Sequence, residues 1–395
     1  MGIMQKSTLL PLLVLTSAVT LAACGQQEIT DTPAPSSPQA PSSSSPTASA
    51  SPSPSETADL VTWDDNANVS HLFFHSLVAD PERAFDGDED SAGYLDYMVT
   101  IDEFNEIIQQ VYDRDYILVS PHDLYTTNSD GSVENKPLEL PEGKKPLVLS
   151  FDDLSYYEYM EGDGFADRLV LEGDEVLHEY TDANGETHTG DYDFVSLLDK
   201  FVEENPDFSH NGAKGVVALT GYNGIFGYRT SDLAYAETND DIAQDKETAQ
   251  DIADAMKDSG WEFATHSWGH INYTSSPLSF IQEDHKKWQR EVEPLIGETD
   301  LLIYPFGADI AGVEDYGGEK FSYLNDQGVN AFFGIDTSVP AWGQLEPDYL
   351  RQARINVDGI SLKNAIEGKS ETVSEFFDPA SVLDEQRPDT ISGTS

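Results

Sequence analysis

The sequence predicts an α/β fold in which a parallel sheet closes into a (β/α) barrel, with an open doubly wound sheet as the alternative. Three observations carry this expectation. Short apolar runs alternate with helix-periodic stretches about eight times, the pattern of repeated strand–helix units. Polar, chemistry-bearing residues follow those runs at the same end, as loops at one barrel mouth would. One segment, 160–192, breaks the rhythm and reads as a β-hairpin insertion over that mouth.

Taken in order, the chain opens with a targeting pattern. Lys6 is followed by the apolar core Leu9–Leu15, too short for a comfortable membrane span, and then by the small residues Ala22 and Ala23. The stretch Leu21-Ala22-Ala23-Cys24-Gly25 resembles the lipobox of bacterial lipoproteins, which implies that Cys24 is lipidated and becomes the mature N-terminus. Cys24 is the only cysteine, so an intramolecular disulfide or a thiolate metal site is excluded. Residues 25–59 form a linker. From 32 to 55 it is Pro, Ser, Ala and Thr apart from Gln39, with nothing apolar to offset ordering entropy. Residues 60–366 form the folded domain, and the polar segment 367–395 is expected to fray.

The full chain carries 73 acidic and 21 basic residues, a formal charge of −52. That excludes nucleic acid and anionic headgroups as natural partners, and leaves a lipid at Cys24 as the only membrane attachment.

Within the domain, strands are expected at Val69–His75, Tyr116–Val119, Pro146–Phe151, Gly215–Leu219, Trp261–Thr265, Leu301–Tyr304, Asn330–Ile335 and Ala353–Val357. A helix opens at Thr100 with a capping box to Glu103 and buries Phe104, Ile107, Ile108 and Val111 at helical spacing. Others cover Phe194–Glu204, Gln244–Asp258 (capped by Gly260) and Leu278–Ile296. In the insertion, Arg168–Tyr180 alternates around Gly173-Asp174, and Asn184-Gly185 is a strong turn. His178 and His188 lie on it and read as exposed rather than as ligands.

The strand ends hold the chemistry. Leu147–Phe151 runs into Asp152-Asp153, two adjacent carboxylates that are costly after a buried strand unless a cation meets them. Trp261–Thr265 runs into His266, with His270 four residues on, so both imidazoles can face one object. Leu301–Ile303 runs into the turn Tyr304-Pro305-Phe306-Gly307, and Asn330–Ile335 into Asp336. Two imidazoles and one carboxylate match a catalytic zinc site with a position open for water. Cobalt, nickel or manganese also suit such donors.

"LSFDD", "HSWGH" and "YPFG" resemble the first three motifs of the polysaccharide deacetylases, carbohydrate esterase family 4 with its NodB-homology domain. "HLFFHSLV" and "YILVSPHDLY" resemble the branch that deacetylates poly-N-acetylglucosamine, and the likeness spans most of 69–357. The resemblance implies a distorted (β/α) barrel and metal-dependent removal of acetyl groups from a cell-surface or extracellular glycan. It makes Asp152 the general base, Asp153, His266 and His270 the metal ligands, and Phe306 the residue whose backbone N–H helps hold the oxyanion. An O-acetyl esterase, or a glycan-binding lipoprotein that keeps the metal without catalysis, are the alternatives.

The chain also departs from the family pattern. Ile303 stands where an arginine commonly braces the base, which makes Arg354 the candidate replacement. Leu154 replaces the glycine after the two aspartates, and "FGID" only loosely echoes the fourth motif. No histidine follows His285, although the family's general acid is usually a late histidine. A substitute must sit at the mouth and titrate near neutral pH. His75, at the end of the first strand, is the candidate; His71 is too far down, and His122 is the reserve. "LTGYNGIFGYRT" (219–230) fits a sugar-stacking loop and a packed loop equally, and Trp268 and Trp342 are each a sugar platform or core.

Overall fold

In the computed structural model, which describes residues 59–391, all eight apolar runs form strands. Seven of them close a ring: β1 (Ser70–Phe74), β2 (Lys145–Asp152), β3 (Val216–Leu219), β4 (Glu262–Thr265), β5 (Leu301–Ile303), β6 (Ala331–Ile335) and β7 (Tyr349–Asn356). They pair in the order β2–β3–β4–β5–β6–β7–β1–β2, every pair parallel. The eighth run, Tyr116–Leu118, is not in the ring. It pairs with the start of β2 (Tyr116↔Lys145), on the edge whose far half pairs with β3 (Ala218↔Asp152). The barrel is therefore seven-stranded with a strand wedged beneath β3.

One seam is weak. β4 and β5 share the single pair Thr265↔Leu302, where β6 and β7 share five. Side chains bridge the gap: Thr299 Oγ1 donates to Phe263 O at 2.7 Å, and His266 Nδ1 meets Ile303 O at 2.8 Å. The barrel is distorted here, beside one of the two histidines.

Around the ring pack α1 (Ile101–Asp113), α2 (Phe194–Glu204), α3 (Ile242–Asp258), α4 (Leu278–Glu291), α5 (Gly318–Asp326) and α6 (Gly359–Ile366). The α1 capping box forms as expected: Glu103 N donates to Thr100 Oγ1 and Thr100 N to Glu103 Oε2. The helix expected over Leu278–Ile296 is two pieces. It ends at Glu291, Val292 caps it, and a short turn restarts at Glu293-Pro294, where the proline lacks an N–H for a continuous ladder.

Strand alternation sorts β2 into two faces. Leu147, Leu149 and Phe151 turn outward to the helices, where Phe151 stacks on Phe194 with centroids 3.9 Å apart. Val148, Ser150 and Asp152 turn into the barrel. The interior is apolar in its lower part, with Val148, Ala264 and Phe333, and polar towards the mouth. There His71, Ser150, Gln352 and Arg354 are all fully buried.

The insertion forms, with one strand more than a hairpin: Arg168–Glu172, Glu175–Thr181 and Thr187–Gly190 make an antiparallel sheet. It packs against α2 and α3 at the rim. His188 is exposed as expected, but His178 is not. Its Nδ1 lies 3.2 Å from Ser196 Oγ of α2, and burial pushes its pKa down to about 3. The period-2 pattern places His178 on the inner face, and α2 covers that face.

The described part of the last segment, residues 367–391, does not fray. Val373, Phe376, Phe377 and Val382 join the main core, and Arg387 pairs with the buried Glu103 at 2.6 Å. No helix among the described residues is long and apolar enough to cross a membrane. The signal segment, Cys24 and the linker up to 58 lie outside the described residues.

Candidate active site

The mouth of the barrel gathers all seven candidate residues, among them the two adjacent carboxylates Asp152 and Asp153. Asp152 ends β2 on its inward face. Asp153 follows with φ +64°, a left-handed step that lets two consecutive carboxylates reach one opening instead of opposite faces. Ser267, His270 and Phe306 also have φ between +51° and +61°. Strained non-glycine backbone thus concentrates where the chemistry is expected.

Asp153, His266 and His270 each offer one ligand atom, and these atoms lie within 4.8 Å of one another. His270 Nε2 is 3.8 Å from Asp153 Oδ2, too long for a hydrogen bond. Ligands about 2.1 Å from a tetrahedral ion stand about 3.4 Å apart, close to this spacing. His266 is oriented by Ile303 O at Nδ1, which leaves Nε2 as the free lone pair. Burial pushes its pKa down to about 4, so it is a neutral ligand at physiological pH. The residues fit a divalent cation.

The turn that carries both histidines is held from α4. The buried Asp284 accepts Trp268 N at 2.7 Å on one oxygen and Gly269 N at 2.9 Å on the other. A Cβ on Gly269 would stand 3.0 Å from that carboxylate, a tight contact that the glycine avoids. Tyr157 supports Asp153 in the same way, its hydroxyl donating to Oδ1 at 2.5 Å and lying 2.8 Å from Thr220 Oγ1. Burial, and then Asp153, hold that phenol well above its ordinary pKa, so it stays a donor.

Asp152 faces Arg354 in a two-pronged pair, Nη1–Oδ1 at 2.7 Å and Nη2–Oδ2 at 3.0 Å. Arg354 is fully buried and lies over Phe73 at 4.0 Å. Burial alone would raise the Asp152 pKa; Arg354, and His266 beyond it, outweigh burial and hold it at about 2. Ile303, in the family's arginine place, is a buried core residue whose carbonyl serves His266. Below Arg354 the chain continues through Ser150 Oγ (3.2 Å) to His71 Nε2 (2.9 Å from Ser150). Burial holds His71 neutral, its pKa well below the usual histidine value. It does not reach the opening, as expected.

His75 lies half-buried on the inward parity of β1, near Phe73 (centroids 5.8 Å) and within electrostatic reach of Asp152 and Asp358. Phe306 is 66% exposed, its ring centroid 4.4 Å from that of His270 in an edge-to-face arrangement. His122 is elsewhere. It bridges Glu262 at 2.9 Å and Asp300 at 2.8 Å, residues that begin β4 and precede β5, at the opposite end of the barrel. The reserve candidate for a proton donor is thereby removed.

The loop after β3 proves mostly packed. Ile225 and Phe226 are fully buried and Leu169 N donates to Phe226 O, while Tyr222 stacks on Tyr157 (centroids 5.4 Å). Trp268 is half-buried under Lys287, and Trp342 lies half-buried 5.1 Å from Arg351. Sequence reasoning missed Tyr157, Ser150 and Asp284. The doubled tyrosine Tyr156-Tyr157, separated from Asp152-Asp153 by two residues, was the one available signal.

Residues 234–332 match the family model described as polysaccharide deacetylase. The matched span contains both histidines and the Pro305-Phe306-Gly307 turn. That match, together with the cluster at the barrel mouth, supports a hydrolase acting on carbon–nitrogen bonds. The likeness to the polysaccharide deacetylase family thus rests on residues 234–332, about a quarter of the chain. No curated protein matches it. Among solved structures, the Streptococcus pyogenes deacetylase PplD in complex with acetate is similar at 14% identity and a TM-score of 0.42, over 76% of this chain and 97% of that one.

Proposed function

We propose that the protein removes N-acetyl groups from a cell-surface or extracellular polysaccharide, with one divalent metal, zinc, at Asp153, His266 and His270. The observation that carries this reading is the Asp153–His266–His270 cluster with the Arg354-braced Asp152 beside it. A bound divalent ion supplies Lewis acidity, which acidifies water and polarises an acetyl carbonyl. Asp152 takes the proton of the attacking water. A carboxylate held near pKa 2 is a weak base, so it accepts a proton only from water already made acidic; base and metal cluster work as one device. The Phe306 N–H donates to the developing oxyanion, a contact worth about 3 kcal/mol. His75 protonates the departing amine, a role supported by its position at the end of β1 within electrostatic reach of Asp152. In the cell, a lipid on Cys24 holds the domain at the outer face of the membrane; fractionation of a Cys24→Ala chain tests this, and normal membrane retention counts against it.

Acetate release tests the activity on purified full chain, with and without added zinc, against N-acetylglucosamine oligomers and acetylated xylan. Release from the first but not the second is expected, with Asp152→Asn losing nearly all turnover while keeping its metal. Metal retained by a His266→Ala, His270→Ala double variant would refute the ligand set. No release from any substrate by metal-loaded protein would leave a glycan-binding protein.

A further inference from the structure

Three tyrosine rings form a stack beside Asp153. Tyr157 lies between Tyr159 (centroids 5.5 Å, planes 12° apart) and Tyr222 (5.4 Å, 18°). The middle ring is buried and its hydroxyl bonds Asp153. The Asp153 carboxylate also bears on the hydroxyls of the other two, so the whole stack flanks the metal cluster. Tyr159 is the outer ring and is 52% exposed.

A single exposed tyrosine is ordinary on a protein surface. This one is fixed in place. Its carbonyl accepts the Tyr94 hydroxyl at 3.4 Å, Glu158 N donates to Asn223 Oδ1 at 3.1 Å, and Arg229 Nη2 holds Tyr156 O at 2.8 Å. The turn Glu158–Met160 is thus pinned on both sides, and the ring rests on a packed neighbour. A rigid, half-open aromatic face loses little entropy when something lies on it.

We propose that the outer face of Tyr159 is a stacking subsite for the pyranose next to the one held at the metal cluster. The proposal rests on the deacetylase reading and deepens it. A pyranose presents an apolar C–H face that suits an aromatic ring, and its hydroxyls can stay in water. The surroundings select its charge. Asp90 bears on Tyr159, Asp163 accepts the Tyr94 hydroxyl at 2.9 Å, and Glu158 is in the same turn. Such a rim disfavours a uronic acid and suits a neutral or amine-bearing hexosamine. The subsite therefore takes a hexosamine polymer rather than a lone sugar.

Calorimetry on zinc-loaded full chain carrying Asp152→Asn, which blocks turnover, tests this with an N-acetylglucosamine tetramer and the monosaccharide. Adding Tyr159→Ala is expected to weaken tetramer binding about 10-fold, and Tyr159→Phe, which keeps the ring, less than twofold. Monosaccharide binding should show no comparable loss. Equal weakening by both substitutions, unchanged tetramer affinity in Tyr159→Ala, or no tetramer binding at all would overturn the subsite. If Tyr159→Ala alone weakens binding but the unsubstituted chain releases no acetate, the subsite stands and the deacetylase reading falls. If acetate is released and Tyr159→Ala binds the tetramer normally, the reverse holds.

Discussion

Arg354 and Asp152 are both almost out of water, so each depends on the other for its charge. Removing one partner of a buried pair leaves an uncompensated ion, a loss of about 3–5 kcal/mol. Arg354→Ala should therefore lower the unfolding free energy by about that amount in urea titrations. The Arg354→Ala, Asp152→Asn double variant should recover part of it, since the stranded charge is then gone. Arg354→Lys keeps the charge but not the planar fork, so it should fold and still lose turnover. His75 is the other residue whose role is separable. His75→Gln should keep the metal, cut turnover about 10²–10⁴-fold and abolish the alkaline limb of the pH–rate profile. A variant retaining both rate and limb would exclude His75 as the acid. Arg354 could be anticipated from the missing family arginine. Asp284 could not, because nothing local to an aspartate says that it will meet a turn amide.

Between elements, the seam joining β4 and β5 is the place where side chains replace a backbone ladder. At its lower end His122 ties Glu262 to Asp300, and Tyr125 Oη donates to Asp300 at 2.8 Å. Burial alone would lower the His122 pKa; hydrogen bonds to Asp300 and Glu262 win and push it up to about 10. The ordinary histidine value in an unfolded chain is about 6.5. Between those values the folded state binds the extra proton, so stability falls as pH rises. The contribution is complete below about pH 6.5 and is lost as pH passes through 10. With the His122 side chain 46% exposed, water screens part of the effect. Melting temperature should decline across this window, and His122→Gln should flatten that decline. A parallel decline in the variant would assign it to other groups. The sequence places His122 after a strand, correctly, but that strand is the one wedged beneath β3, so the loop opens at the other end.

For the whole molecule, the C-terminal segment is structural. Phe376 and Phe377 are fully buried in the main core, and Arg387 closes on Glu103 in the α1 capping box. Phe377→Ala should cost about 3–5 kcal/mol by the usual price of emptying a buried aromatic site. A chain ending at Lys369 should lose more, seen as a lower midpoint in denaturant. Full stability in the shortened chain would show that the segment is dispensable. The polar composition of 367–395 concealed this, because its few apolar residues are scattered through a charged stretch and show no period.

The sequence by itself determined the strands, the capped helices, the turn-rich insertion and the pairs Asp152-Asp153 and His266–His270. Those features depend on local periodicity, turn chemistry and near-neighbour spacing, and such signals survive without a partner. Only the tertiary structure decided which groups share an environment. Arg354 meets Asp152 from 202 positions away, and Arg387 meets Glu103 from 284. The buried polar interior of His71, Ser150 and Arg354, the covered His178 and the remote His122 follow from the seven-strand closure and from which face each neighbour covers. Burial and hydrogen bonding at such separations are properties of the closed barrel, and no window of residues contains them.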